Sequence, residues 1–223
     1  CDLSLPAYTS DIIDVGIQNN GVGHVVPEKM TADEFDTAQF IMTDKETNTW
    51  KDIYEKKDDL YELKDLSNKE LNDIDEELTI PLIMNYQIRA MEVDTFKETI
   101  AKQMGKDVSA FADMSVEDIG AMMHVDLKSF KQEKEDDDGN KVKVDCVDVR
   151  PIFANMLASG AMDKDQILSM RDTMEDTIDT MGSSLVKSMG IAYAVAADKD
   201  AGVNADKIQK SYLLSAGLKM VGM

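Results

Sequence analysis

The run Ile167-Leu168-Ser169-Met170-Arg171-Asp172-Thr173-Met174-Glu175-Asp176-Thr177-Ile178 sets apolar side chains three and four residues apart, the spacing of one face of an α-helix. The pattern continues through Met181, Leu185 and Met189 and breaks only at Asp198-Lys199-Asp200-Ala201-Gly202. It predicts one long helix of roughly 30 residues, about 45 Å at 1.5 Å per residue. Thr180, Ser184, Ser188, Ala192 and Ala196 recur at every fourth position, a stripe of small side chains that another backbone can approach closely. A closing helix from about Asn204 to Lys219, with Ile208, Tyr212 and Leu213 facing inward, is expected to occupy it.

Upstream, the period shortens to two. Ile13, Val15 and Ile17 alternate with Asp14 and Gly16, and Asn19-Asn20-Gly21 offers residues that tolerate positive φ before Val22, Val25 and Val26. This predicts a β-hairpin over about 11–26, ended by Pro27. Leu82, Met84, Tyr86 and Ile88 fall on one side of an extended chain and Asn85, Gln87 and Arg89 on the other, so a half-buried strand is expected over about 80–90. A second hairpin runs from Val125 and Leu127 through the charged stretch Lys131 to Asp138, turns at Gly139-Asn140 and returns along Val142, Val144 and Cys146.

Short helices are punctuated between these strands. Thr31 with Glu34, Ser67 with Glu70 and Ser115 with Asp118 each carry the capping-box spacing of a helix start. Asp94 and Thr95 open a helix with Phe96, Ile100 and Met104 on one side, closed by Gly105, which accepts the left-handed conformation of a helix end. The fold class is therefore α+β: antiparallel hairpins and strands with short helices, followed by a long C-terminal helical hairpin. The expected division is 1–10 as an anchor linker, 11–162 as the α+β body and 163–223 as the helical hairpin.

Composition bounds the function. With 43% hydrophobic residues in 223, the chain is long enough for a sizeable core. A net charge of −20 with scattered basic residues argues against nucleic-acid binding, which requires a cationic surface to displace phosphate counterions. The uncharged stretch from Ser188 to Ala197 is about half of the roughly 20 apolar residues a membrane-spanning helix needs.

The first residues are Cys1-Asp2-Leu3-Ser4-Leu5-Pro6, and the sequence contains only one other cysteine, Cys146. This start resembles that of a mature bacterial lipoprotein, a class in which the first cysteine is acylated and tethers the protein to a membrane. The resemblance covers that residue and its context. It implies lipidation of Cys1, membrane attachment through its acyl chains and residence in the bacterial cell envelope, including the periplasmic side. Asp2 matches the residue that holds such proteins at the inner membrane in enteric bacteria, while the choice between inner and outer membrane stays open. A single acyl chain binds only marginally, so stable tethering requires the two or three chains of that class.

Chemistry-bearing patterns are sparse. His24 and His124 stand alone, without neighbours at the spacing of a zinc cluster. No nucleophile elbow, phosphate-binding loop or dinucleotide fingerprint is present. The 44 acidic residues offer many candidate acid–base groups and so single out none. Cys146 lies in an alternating strand, where a thiol is usually a small buried hydrophobe. Asp198 to Asp206 has oxygen ligands at alternate positions, but its glycine is one place early for an EF-hand and its twelfth position lacks glutamate. A turn between helices, with Asn204 as the next cap, is the expectation there; Asp136-Asp137-Asp138-Gly139-Asn140 is expected to be a hairpin tip.

These observations predict a non-enzymatic, lipid-anchored envelope protein acting as a structural or protein-binding component, with no cofactor and no metal. Its partner would be another envelope protein or further copies of itself. The residues expected to mediate packing or partner binding are Met170, Met174, Met181, Ser184, Ser188, Met189, Ala192 and Ala196. The 16 methionines of the chain suit either an adaptable binding surface or a core. The alternatives are a ligand-binding lipoprotein, a hydrolase built on an interior carboxylate pair or a Cys146–His124 contact, and a cytoplasmic or phage structural protein.

Overall fold

The Thr31 hydroxyl accepts the Glu34 amide at 3.1 Å, so the chain leaves strand β1 (Lys29–Thr31) and enters helix α1 (Ala32–Thr37) at the position where the capping pattern places the change. A computed structural model of the chain describes residues 22–135, 141–178, 180 and 183–204. Two units emerge, one from residues up to 84 together with those from 168 onward, the other from 85–167. The α+β class expected from the sequence is the class observed. Cys1, most of the 11–26 hairpin, the acidic tip at 136–140 and the closing helix after Asn204 lie outside the described residues.

In the first unit, a 3₁₀ turn (Ala38–Ile41) follows α1, and α2 (Asp44–Ile53) begins with a full capping box between Thr43 and Glu46. Strands β2 (Tyr54–Lys57) and β3 (Leu60–Leu63) complete an antiparallel sheet of order β1-β3-β2, in which Met30 stands opposite Tyr61 and Glu55 opposite Glu62. Aromatic side chains fill its core. Phe35 stacks on Tyr61 with ring centroids 3.7 Å apart, Trp50 lies 4.9 Å from Tyr54, and both polar tips are satisfied by backbone: Trp50 donates to the Phe35 carbonyl and Tyr54 to that of Pro27. Such pairing adds to simple burial because offset and edge geometries suit the ring quadrupoles.

Helix α3 (Asn68–Arg89) overturns the strand expected over 80–90. Ser67 and Glu70 form the reciprocal cap, with the Ser67 amide donating to Glu70 Oε2 at 2.8 Å, and the helix then runs through Pro81. Residues 81–85 are all buried, on both parities of the supposed alternation. A helix surrounded by core carries a short apolar run that periodicity cannot separate from a strand. The α3 residues Ile74, Leu78, Leu82 and Asn85, which are buried, recur at the helical interval instead.

The single long C-terminal helix is likewise corrected to two, α7 (Lys164–Ile178) and α8 (Ser183–Asp200). Thr180, the described residue between them, is in a turn. Helix α8 buries Gly190, Ile191, Tyr193, Ala194 and Ala197. A Cβ built on Gly190 would stand 2.7 Å from a methyl of Val25, so glycine permits the close approach of these two segments. Gly202, at φ +81°, ends the helix, with its amide donating to the Lys199 carbonyl and that of Val203 to the Asp198 carbonyl.

The second unit takes in the last turn of α3, strand β4 (Met91–Glu92), α4 (Val93–Gln103), a 3₁₀ turn (Val108–Phe111), α5 (Val116–Met122), strands β5 (Ser129–Glu135) and β6 (Lys141–Val147), and α6 (Arg150–Ser159). Ser115 and Asp118 cap α5 reciprocally, and Gly105 follows α4 at φ +63°, both as the sequence pattern predicts. Phe96, Ile100, Phe111, Val116, Ile119 and Leu127 form its core with Val147, Val149 and Ile152. The expected second hairpin is present, antiparallel, in a sheet of order β4-β6-β5.

Candidate functional site

The register of β5 against β6 sorts the hairpin residues onto two faces. Phe130 stands opposite Cys146, Gln132 opposite Val144 and Lys134 opposite Val142, while Ser129, Lys131, Glu133 and Glu135 stand opposite Val147, Asp145, Lys143 and Lys141. Alternation puts the first set on one face and the second on the other. Near its base the first face is closed: Cys146 is fully buried, and Gln132 donates its amide to the Tyr86 hydroxyl. Phe130, opposite Cys146 at the base, is nevertheless 39% exposed, and Val142, toward the tip, is 40% exposed. The second face is charged, with Lys131, Glu133, Lys143 and Asp145 exposed and Lys131 Nζ 2.8 Å from Asp145 Oδ1. An aromatic ring and a valine therefore lie on one side of the ribbon, one toward each end.

Buried polar groups in the first unit form a second set of candidates. Asp198, only 3% exposed, accepts the Lys29 amide on Oδ1 at 2.8 Å, while its buried Oδ2 has no hydrogen-bond partner. Burial pushes its carboxyl up to about 7, reinforced by the negative charge of Glu28 and opposed by the backbone N–H groups and the Lys29 charge. Burial also raises the Tyr54 phenol well above its ordinary value, and the charge of Asp198 adds to that rise. Glu34, another interior carboxylate, accepts the Tyr193 hydroxyl at 2.8 Å. These groups join α8 to β1 and α1, and each has a structural task that the geometry explains.

Two further ionic sites serve as clamps. Arg171 grips Glu46 in a bidentate pair, Nη1 to Oε2 at 2.5 Å and Nη2 to Oε1 at 2.7 Å, while Glu46 Oε2 also accepts the Thr43 amide. The guanidinium is thereby raised: burial acts to lower it, and the Glu46 bonds and charge outweigh burial. Asp75 accepts the Val25 amide at 2.9 Å and contacts His24 Nδ1 at 2.9 Å and Lys187 Nζ at 3.1 Å. Burial pushes this carboxyl up, but those three partners together hold it below its usual range.

The residues singled out by the sequence fall in different places. Met170 is 50% exposed on α7, Met189 is half-buried, and Ser188, Ala192 and Ala196 are half-buried on α8 beside the face that enters the core. The side chains of Met174, Met181 and Ser184 lie outside the described residues, as does Cys1. Cys146 is buried in β6, whereas His124 is exposed and left-handed at φ +57° after α5. Asp198 and Asp200 belong to α8, and among the described residues no group of three His, Cys, Asp or Glu side chains is placed to hold a metal ion. No helix among them is long and apolar enough to cross a membrane.

Phe130 and Val142 were not among the expected binding residues, because their strands read as a charged ribbon. The signal was present in the pairing: every second residue of the return strand, Val142, Val144 and Cys146, is apolar. Comparison with protein-family models, with curated proteins and with solved structures finds no match for this chain.

Proposed function

We propose that this chain is a structural or protein-binding component and that the β5–β6 hairpin is the element it presents to a partner. The observation that supports this reading is that Phe130, at the base of the hairpin, and Val142, toward its tip, lie on one face and are both partly open to water. Singly exposed hydrophobics are ordinary on any protein surface; a register that gathers them on one side of a ribbon is the arrangement a partner covers. Covering such a face recovers roughly 25 cal/mol for each Å² of apolar surface removed from water. Met170 and Leu185, 50% and 56% exposed, add apolar points on the first unit.

The test is site-specific photocrosslinking in the native host. Crosslinking side chains at Phe130 and Val142 should yield one and the same discrete adduct, whereas Lys143 and Asp145, on the opposite face of β6, should not. Adducts of equal yield from both faces, or none from the apolar face, refute the proposal.

A further inference from the structure

Strand β5 is an edge: it pairs with β6 on one side, and among the described residues no strand pairs with its other side. The Ser129 amide donates to Glu117 Oε1 at 3.1 Å, away from β6. In an antiparallel ladder the backbone groups of successive residues point alternately to the two sides, so Lys131, Glu133 and Glu135 share that outward direction with Ser129. A row of outward amides and carbonyls is a template for another strand unless its side chains forbid pairing. Lysine and glutamate on an edge are a common way to forbid it, and the decisive matter is their order.

We propose that β5 pairs with β5 of a second copy of this chain, antiparallel, with Gln132 on the two-fold axis. This names a partner for the protein-binding element proposed above and rests on that reading. In this register Lys131 stands opposite Glu133 of the second copy, and Glu133 opposite its Lys131. Both residues of each pair direct their backbone groups outward, so each pair exchanges two hydrogen bonds and the symmetry gives four. Sliding by two residues in either direction sets lysine against lysine or glutamate against glutamate at the centre, and sliding by one sets outward groups against inward ones. Charge and backbone direction thus select the same register.

The second row of strands strengthens the match. Lys131 is already 2.8 Å from Asp145, and Glu133 stands opposite Lys143 in the hairpin. Across the joined sheets the charges run Asp145, Lys131, then Glu133 and Lys143 of the second copy, alternating in sign at every step. Opposite charges facing each other across strands stabilise and like charges destabilise. The strands themselves hold four lysines, Lys131, Lys134, Lys141 and Lys143, against three acids, Glu133, Glu135 and Asp145. Set against the chain's net charge of −20, the two strands themselves add no further repulsion where the copies meet. Two seven-residue strands make an interface smaller than the roughly 1,200 Å² of stable complexes, so the association is weak and reversible.

Sedimentation equilibrium of the full chain from about 1 µM to about 1 mM, a range that spans weak complexes, tests this pairing. The wild type should dimerise. Lys131→Glu and Glu133→Lys should each weaken it about tenfold or more, since each turns two attractive cross-strand pairs repulsive. An equimolar mixture of the two variants should recover dimerisation, because every reversed charge then meets an opposite one on the other copy, while each hairpin keeps the like-charge pair that its own substitution creates with Asp145 or Lys143; a variant that merely misfolds gains nothing from mixing. A wild type that stays monomeric, variants that dimerise like the wild type, or a mixture that stays monomeric while circular dichroism shows both variants folded each overturns the pairing. None of these outcomes bears on crosslinking from Phe130 and Val142, so the two proposals fail separately.

Discussion

Replacing Asp198 with asparagine should remove a pH dependence that the buried carboxyl imposes on the first unit. In the native state the group titrates at about 7, against an ordinary value of 3.8. Below 3.8 it is neutral in both folded and unfolded chains and costs nothing. Between 3.8 and about 7 the folded state holds a proton that the unfolded state releases, so stability falls as pH rises, by about 1.4 kcal/mol per pH unit. Above 7 the group is ionised in both states and the whole deficit, about 4 kcal/mol, persists. Asparagine keeps the oxygen that accepts the Lys29 amide, but sets an NH₂ where the unpartnered Oδ2 lies, at a cost of about 1–3 kcal/mol. At pH 8 Asp198→Asn should therefore gain about 1–3 kcal/mol net, and near pH 4.5 the gain should vanish or reverse. Trp50, the sole tryptophan and fully buried in this unit, supplies the fluorescence signal for urea titrations of both proteins from pH 4.5 to 8.5. The difference between the two stability curves cancels the titration of the other carboxylates. A difference independent of pH would refute the reasoning.

Other perturbations follow from single contacts. Gly120→Ala should destabilise the second unit by about 1–3 kcal/mol, measured by thermal melting, because the new Cβ meets the Val125 carbonyl oxygen at 2.6 Å and backbone cannot swing aside as a side chain does. Arg171→Ala should cost about 3–5 kcal/mol in urea titration, since it leaves Glu46 buried without its cation. Asp75 contributes in the sense opposite to Asp198: its carboxyl lies below the usual range, so its stabilisation is present above the unfolded value and is lost as pH falls through the native one, and Asp75→Asn should flatten the acid limb of the Trp50 titration. Val142→Thr should leave the melting behaviour within about 0.5 kcal/mol while reducing crosslinking from Phe130.

The helix starts were legible because each is a local bargain between a hydroxyl and an amide three residues on: Thr31, Ser67 and Ser115 all open helices, and at Ser67 and Ser115 the acidic partner returns a bond to the cap amide. The β5–β6 hairpin was legible for a related reason, since alternation along one strand is repeated by its neighbour. Residues 80–90 were misread because what decides them is not local. Once Ser67 starts a helix, α3 runs through Pro81 into a core that surrounds it, and the apolar run loses the one-sidedness on which periodicity depends. The candidate face was partly legible, as Val142, Val144 and Cys146 show, but no local pattern marks Phe130, opposite the buried Cys146, as 39% exposed. The buried acid Asp198 looked like one member of a surface cluster, and only its position on the inward side of α8, against the Lys29 amide, distinguishes it.

The proposed self-pairing and the net charge of the chain together dictate an unusual response to salt. At low ionic strength the Debye length is about 30 Å at 0.01 M, so each copy feels most of the other's −20 and approach is opposed. At about 0.15 M screening contracts to about 8 Å, which removes the general repulsion but leaves the contact-distance attraction between Lys131 and Glu133 largely intact. At 1 M the length is about 3 Å and those exposed pairs weaken as well. Dimerisation should therefore strengthen from 0.01 to about 0.15 M and weaken toward 1 M, with sedimentation equilibrium at the three concentrations as the measurement. The Lys131→Glu and Glu133→Lys mixture should show a maximum as well, since the pairs between its copies are again lysine against glutamate. Steady strengthening through 1 M would mean that burial of the Phe130 and Val142 face, which salt does not weaken, holds the copies together instead of the edge.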